Sequence, residues 1–227
     1  MNAGDLYDRF RLDVVDQAKP YLWSDDEVFG YMDTAYQLFV RDTEGIADTT
    51  SAVTVVNVTA GQPFSDVDPS ILNFRQAFLA STNEELTIVN AQEMSSVRVA
   101  DGYGVIRSLN TYNLPGPVRY MVIGLQRDKV RWAQIPVVND TVNLVVYRLP
   151  LLPITDPSQE FEGVAAIHHL YFLDGMKALA YRKQDAETFD RARANECEMR
   201  FTQYCAKAKA EWSRYKAKVR TVVYGGI

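Results

Sequence analysis

From about residue 161 to residue 215 the chain reads as two helices joined end to end, and few folds accommodate the second. Before the seam, Val164, Ile167, Leu170, Tyr171 and Ala178 recur at helical spacing. After it come Phe189, Cys197, Phe201, Tyr204, Cys205, Ala208, Trp212 and Tyr215, mostly at three- and four-residue steps. Such steps line up side chains on one helix face. Within the seam, residues 182–188, Asp185 is placed to cap the second helix, with Glu187 in its first turn opposing the positive helix end. A helix of about 30 residues is roughly 45 Å long at 1.5 Å per residue. An ordinary globular core needs no rod of that length. Its last third is strongly basic, which suits contact with other copies or with another protein.

Charge is unevenly spread. Residues 1–50 hold eleven carboxylates against Arg9, Arg11, Lys19 and Arg41, a net of −7, while residues 51–150 balance. From Lys207 onward six cations face only Glu211, a net of +5. An acidic head and a basic tail can pair between subunits or within one. The whole 227-residue chain carries −5, so bulk attraction to nucleic acid or an acidic membrane is not expected. With 47% apolar and 23% charged residues the chain is a folded one, of one large or two small domains. Cys197 and Cys205 stand eight residues apart on one helix, about 12 Å of rise, too far for a disulfide. They read as small buried residues in a reducing cytoplasm. An export signal and a long apolar run are not evident, so the chain is expected neither to be secreted by that route nor to span a membrane.

At the N-terminus Leu6, Phe10 and Val14, backed by Val15, predict a short amphipathic helix stopped near Pro20. Ser24 followed by Glu27 is a capping box. Trp23 before the cap and Val28 at the fourth helical position form a hydrophobic staple. Val28, Met32, Ala35 and Phe39 then carry a second helix from Asp25 to about Asp42. Near Thr50 the period changes. Residues 52–59, 71–78, 86–89, 119–124, 129–133 and 142–148 read as strands, with a hairpin link at 126–128 and a proline loop at 113–117. No element is assigned to 91–112. The expected class is α+β. Residues 1–50 and 154–216 form a helical bundle with a long C-terminal helix, 51–153 an inserted antiparallel β domain (a small sandwich or barrel), and 217–227 a flexible C-terminal arm.

Chemistry is hard to find. His168 and His169 are neighbours and point about 100° apart on a helix, so they do not share a metal; they read as helix-surface or interface residues. Gly102-Tyr103-Gly104 is too short for a dinucleotide loop and reads as a turn. Asp25-Asp26 is explained as helix-start charge, and Glu84-Glu85 stands without a signature around it. No catalytic, cofactor or metal site is assigned. Trp212 and Tyr215, interleaved with Lys209, Arg214, Lys216 and Lys218, form the best candidate recognition surface, suited to a large protein partner.

Three stretches carry a resemblance. Leu22-Trp23-Ser24-Asp25-Asp26-Glu27-Val28 opens a helix near the N-terminus. Tyr147-Arg148-Leu149-Pro150-Leu151 leaves the β region. The run from His169-Leu170 through Ala180-Tyr181-Arg182-Lys183-Gln184-Asp185-Ala186-Glu187-Thr188 continues to Phe201. Together with the helix–β–helix order, the chain resembles the head-to-tail adaptor (connector) proteins of tailed bacteriophages, especially short-tailed ones. The resemblance implies a structural virion protein, not an enzyme. It implies a homo-oligomeric ring, usually of twelve copies, under the portal protein, offering a platform to a tail or nozzle protein. Genomic DNA would pass through the ring without sequence-specific binding. It also implies a C-terminal arm that reaches the portal. Trp212, Tyr215 and Tyr224 would be its apolar anchors, and Arg214, Lys216, Lys218 and Arg220 would steer it to an acidic surface. From a different class, the same pattern suits a carbohydrate-binding β-sandwich on a helical stalk, or a hydrolase with a carboxylate pair.

Overall fold

A computed structural model describes residues 1–95, 98–100, 106–108, 114–185 and 187–216. The fold is α+β, with four α-helices among the described residues and a set of mostly antiparallel sheets in the middle of the chain. The chain divides into two compact units: Met1–Glu44 with the chain from Pro150 onward, and Gly45–Leu149.

The first unit is helical. α1 (Ala3–Asp13) opens with Asn2, whose side chain accepts from the Asp5 amide at 2.9 Å while the Asp5 carboxylate accepts from the Asn2 amide at 3.0 Å. Two further first-turn amides, of Ala3 and Gly4, donate to the carbonyls of Gln159 and Pro157. α2 (Asp25–Asp42) starts as the Ser24/Glu27 pattern predicts, with both capping-box bonds present. Val28, Met32, Ala35, Tyr36, Phe39 and Val40 are buried. Trp23 is buried too, edge-on to Phe10 and Tyr181, and its indole N–H donates to the Ala180 carbonyl at 3.3 Å. The staple tryptophan therefore reaches α1 and the end of α3. Val15 does not back the α1 stripe; the helix ends at Asp13 and Val15 points into solvent.

α3 (Phe172–Arg182) is shorter than its sequence stripe suggests. Residues 164–165 are not helical, and Ala166–Tyr171 is a tight 3-10 turn. Three residues per turn rotate side chains differently from 3.6, so Ile167 and Leu170 face outward (Ile167 is 73% exposed). Phe172, Leu173, Met176, Ala178 and Ala180 fill the core instead. Phe172 touches the rings of Phe39 at 5.2 Å and Phe161 at 5.0 Å. The Tyr36 hydroxyl donates to the Glu162 carbonyl at 2.7 Å. α4 (Arg191–Lys216) returns antiparallel along α3, with Asp174 beside Arg200 and Tyr171 stacked on Tyr204.

Among its described residues the second unit holds twelve strands: β1 (Ile46–Asp48), β2 (Val55–Val58), β3 (Phe64–Asp66), β4 (Ile71–Leu79), β5 (Thr87–Asn90), β6 (Arg98–Ala100), β7 (Ile106–Ser108), β8 (Pro115–Gly116), β9 (Tyr120–Gln126), β10 (Lys129–Trp132), β11 (Ile135–Pro136) and β12 (Asp140–Arg148). β12 is the spine of one sheet. β1 and β2 pair with successive parts of one edge and β4 with the other, all antiparallel. The second sheet runs β3-β10-β9-β5. Its β5–β9 pairing is parallel, as is the short β8–β11 pair, so the unit is not antiparallel throughout. Ala52–Thr54, expected in a strand, is a 3-10 turn leading into β2.

Period-two burial explains the packing. Val142, Leu144 and Val146 of β12 face the same core as Met121, Val130 and Trp132 of the second sheet. Trp132 donates its indole N–H to the Ser65 hydroxyl at 3.0 Å, and Ser65 donates on to the Asn57 carbonyl at 2.6 Å. That relay ties β10 and β3 to β2 and leaves the buried indole satisfied. At the ends of the unit, Arg148 meets Asp48 in a buried ion pair. A Cβ on Gly45, at φ +91°, would stand 3.1 Å from backbone atoms of Arg148.

Candidate assembly surface

The junction between α3 and α4 sets where the long helix points. Its cap is Asp190, not the expected Asp185. The Arg193 amide donates to Asp190 Oδ1 at 3.0 Å, and the Ala194 amide to the Asp190 carbonyl at 2.9 Å. Asp185 lies in the preceding turn, where its carbonyl accepts from the Phe189 amide at 3.1 Å. Both aspartates precede helix-forming sequence. Asp190 wins because its side chain stands three residues before a free helix amide in helical geometry. α4 is 26 residues, about 39 Å, rather than about 30 residues.

One narrow stripe of α4 is buried: Ala194, Cys197, Phe201, Cys205 and Ala208. Phe189, assigned to that stripe by spacing, is exposed. Gly175 on α3 lets the helices close; a Cβ there would meet Ala35 Cβ at 2.9 Å and the Phe201 ring at 3.2 Å. Burial, with the Asp42 charge adding to it, pushes the Cys205 thiol up to about 12, so it stays protonated at neutral pH. Burial also raises the Asp174 carboxyl above its ordinary range, although Arg200 and Lys177 pull the other way.

The two histidines differ in role. His169 is buried, with one ring nitrogen 3.0 Å from the Met1 carbonyl and the other 3.0 Å from the Val164 carbonyl. It ties the start of the chain to the turn before α3. His168 packs between the Phe39 and Tyr171 rings, with Nε2 3.8 Å from Glu211 of α4. These are core-facing positions, not the helix-surface or interface positions expected. The burial arises because the 3-10 turn replaces α-helix there.

Sequence reasoning missed the network at the other end of α1. Buried Arg11 pairs with buried Asp16 and with Asp25 at 2.9 Å, and lies 4.1 Å from the Tyr21 ring centroid. Asp16 also accepts from the Leu22 amide at 2.9 Å. The Tyr7 hydroxyl donates to Asp25, and that bond, followed by Arg11, holds the Asp25 carboxyl below its ordinary range. The clue was an arginine on the apolar side of a short helix, one residue after Phe10.

Of the residues singled out as a recognition surface, Trp212 is half-buried on α4 and Arg214 is exposed in its last turn. Tyr215 and Lys216 complete the helix. Residues 212–216 are thus a continuation of the rod rather than part of a separate arm. Lys218, Arg220 and Tyr224 lie outside the described residues, as does Gly102-Tyr103-Gly104. Lys207 lies 5.4 Å from the Tyr204 ring centroid. Among the described residues, no group of three or more His, Cys, Asp or Glu is placed to hold a metal ion. No described helix is long and apolar enough to cross a membrane.

A family model described as SU10 adaptor protein matches residues 1–222, both units and α4 included. The chain belongs to the SU10 adaptor protein family. The adaptor is accordingly a bacteriophage structural protein that works in contact with other head or tail proteins. No curated protein matches it. The long helix and the inserted sheets are features of this adaptor.

Proposed function

We propose that this adaptor forms a ring under the portal, joins the DNA-filled head to the tail and extends the DNA channel. The family match over nearly the whole chain is the observation that carries the reading. The helical unit supports it. α4 is capped at its start by Asp190 and packs on Gly175 through Phe201, and from Lys207 onward its cations meet only one carboxylate, Glu211. Trp212, Arg214, Tyr215 and Lys216 on the last turns, with Lys218, Arg220 and Tyr224 beyond, form the portal contact, with the aromatic residues as anchors and the cations as steering charges. Twelve copies is the number that the resemblance implies. DNA passes through without sequence readout: the net charge is −5, and a groove-entering element is not recognisable in the sequence.

Deleting residues 217–227 tests the contact. The truncated adaptor keeps the thermal stability of the full chain and fails to join portal-bearing heads. Attachment at normal occupancy would remove the C-terminal anchor from the proposal.

A further inference from the structure

Among the described residues, the hydrogen-bond partners of the His169 ring are two acceptors and no donor. Nδ1 lies 3.0 Å from the Met1 carbonyl oxygen and Nε2 3.0 Å from the Val164 carbonyl oxygen, and the residue is 5% exposed. A carbonyl oxygen can only accept. Neutral imidazole has one N–H, so in either tautomer one of the two contacts sets a ring lone pair against a carbonyl lone pair. Imidazolium has two N–H groups and donates to both oxygens. Burial opposes the charge, while each hydrogen bond to the charged form favours it. The Phe172 ring stacks on the imidazole at 5.9 Å between centroids and 20° between planes, which sets a π-face against the same charge.

The turn geometry gives the two histidines separate partners. Successive residues of a 3-10 turn lie about 120° apart. His169 therefore meets the chain start, and His168 meets Glu211 of α4. The elements around His169 bring few charged groups. The chain start and α1 bring the Met1 ammonium and Asp5, whose carboxylate accepts from the Asn2 amide. The segment before the turn brings Glu160 and Glu162. α2 brings Asp33, which accepts from the Ile154 amide, and α3 brings Asp174, paired with Arg200. Among the described residues no carboxylate lies within 4 Å of the His169 ring, so carbonyl oxygens rather than an ion pair receive its protons. The chain start is already tied to the same segment by its backbone, through the Ala3 amide to Gln159 and the Gly4 amide to Pro157.

We propose that His169 is a proton-operated clasp: as imidazolium it fastens both Met1 and Val164 to the turn leading into α3, and on losing a proton it releases one of them. Closing binds the proton, so acid favours the closed form. The clasp closes as pH falls through the ordinary histidine range, about 6.5, and opens as pH rises through it. It acts within one helical unit and stands apart from the head-to-tail reading.

The chain has only two histidines, so selective 15N labelling of histidine gives two ring spectra, and His169→Gln assigns them by loss of one set. In the wild-type chain, read from pH 8 to pH 5, the His169 ring should pass from one N–H nitrogen to two. Over the same range the protection of the Ala3 and Gly4 amides against hydrogen exchange, corrected for the intrinsic pH dependence of exchange, should rise several-fold. Glutamine at 169 offers one donor and one acceptor and does not titrate, so in that variant the protection should stay level with pH. A wild-type His169 ring that remains one neutral tautomer down to pH 5 overturns the proposal. So does wild-type protection that does not change with pH, or a pH dependence that survives in His169→Gln. Should the variant fail to fold, the wild-type ring spectra and amide protection decide by themselves, with the two ring sets assigned through His168→Gln.

Discussion

At the scale of single residues, two positions carry more than their sequence context suggests. Gly175 sits inside α3, where glycine costs about 1 kcal/mol relative to alanine. It is there because α2 and α4 close on it: the nearest neighbour of an added methyl is Ala35 Cβ, which cannot rotate away. Gly175→Ala is expected to lower unfolding stability by about 1 kcal/mol or more, overpacking outweighing the helix gain, as read by denaturant midpoints. A stabilised variant would mean that the helices yield freely. In the β unit, burial acts to raise the Asp48 carboxyl, but the Ser51 hydroxyl, Arg148 and the amides of Thr50 and Ser51 outweigh it and hold the group well below the usual carboxylate range. A depressed folded pKa gives stability that is present above the unfolded value, about 3.9, and is lost as pH falls below it. Asp48→Asn should therefore cost about 3–5 kcal/mol at neutral pH, by stranding Arg148, and should flatten the acid limb of stability against pH. An unchanged acid limb would assign that loss to other carboxylates.

Among the elements, the α3–α4 junction shows what spacing alone can and cannot resolve. Asp190→Ala is expected to cost about 1 kcal/mol through loss of the cap, whereas Asp185→Ala stays within about 0.5 kcal/mol. Equal losses at both would contradict the assigned helix start. The Ser24/Glu27 box was legible because both partners lie in one local turn and nothing distant competes. The α4 stripe from Cys197 to Ala208 was legible for the same reason, a helical period uninterrupted over several turns. The stripe at 164–171 misled because period is read on the assumption of 3.6 residues per turn, and a 3-10 turn there sends Ile167 and Leu170 outward and His169 inward. β1 and β3 were missed: each is three residues long and stands only by pairing with a distant strand, Ile46 with Arg148 and Ser65 with Val130. The parallel β5–β9 pairing is likewise a long-range fact with no local signature. Of the candidate surface, the basic and aromatic composition of the α4 end was visible in sequence. The exposure of Val15 was not, since Val15 reads as backing the α1 stripe and the helix ends before it, at Asp13.

For the whole molecule, the Gly45–Leu149 unit has its own core, drawn from both of its four-stranded sheets, and its two ends meet where β1 pairs with the end of β12. We propose that it folds alone. Expressed as residues 45–149 it should be soluble, give β-type circular dichroism and unfold cooperatively; an unfolded or helical product would contradict that. The central claim concerns assembly, and it is tested most directly by negative-stain imaging of the full chain mixed with portal rings. A second ring of density, of matching symmetry, is expected on one face of each portal ring, and is lost when residues 217–227 are deleted. Portal rings that stay bare at saturating protein would contradict it.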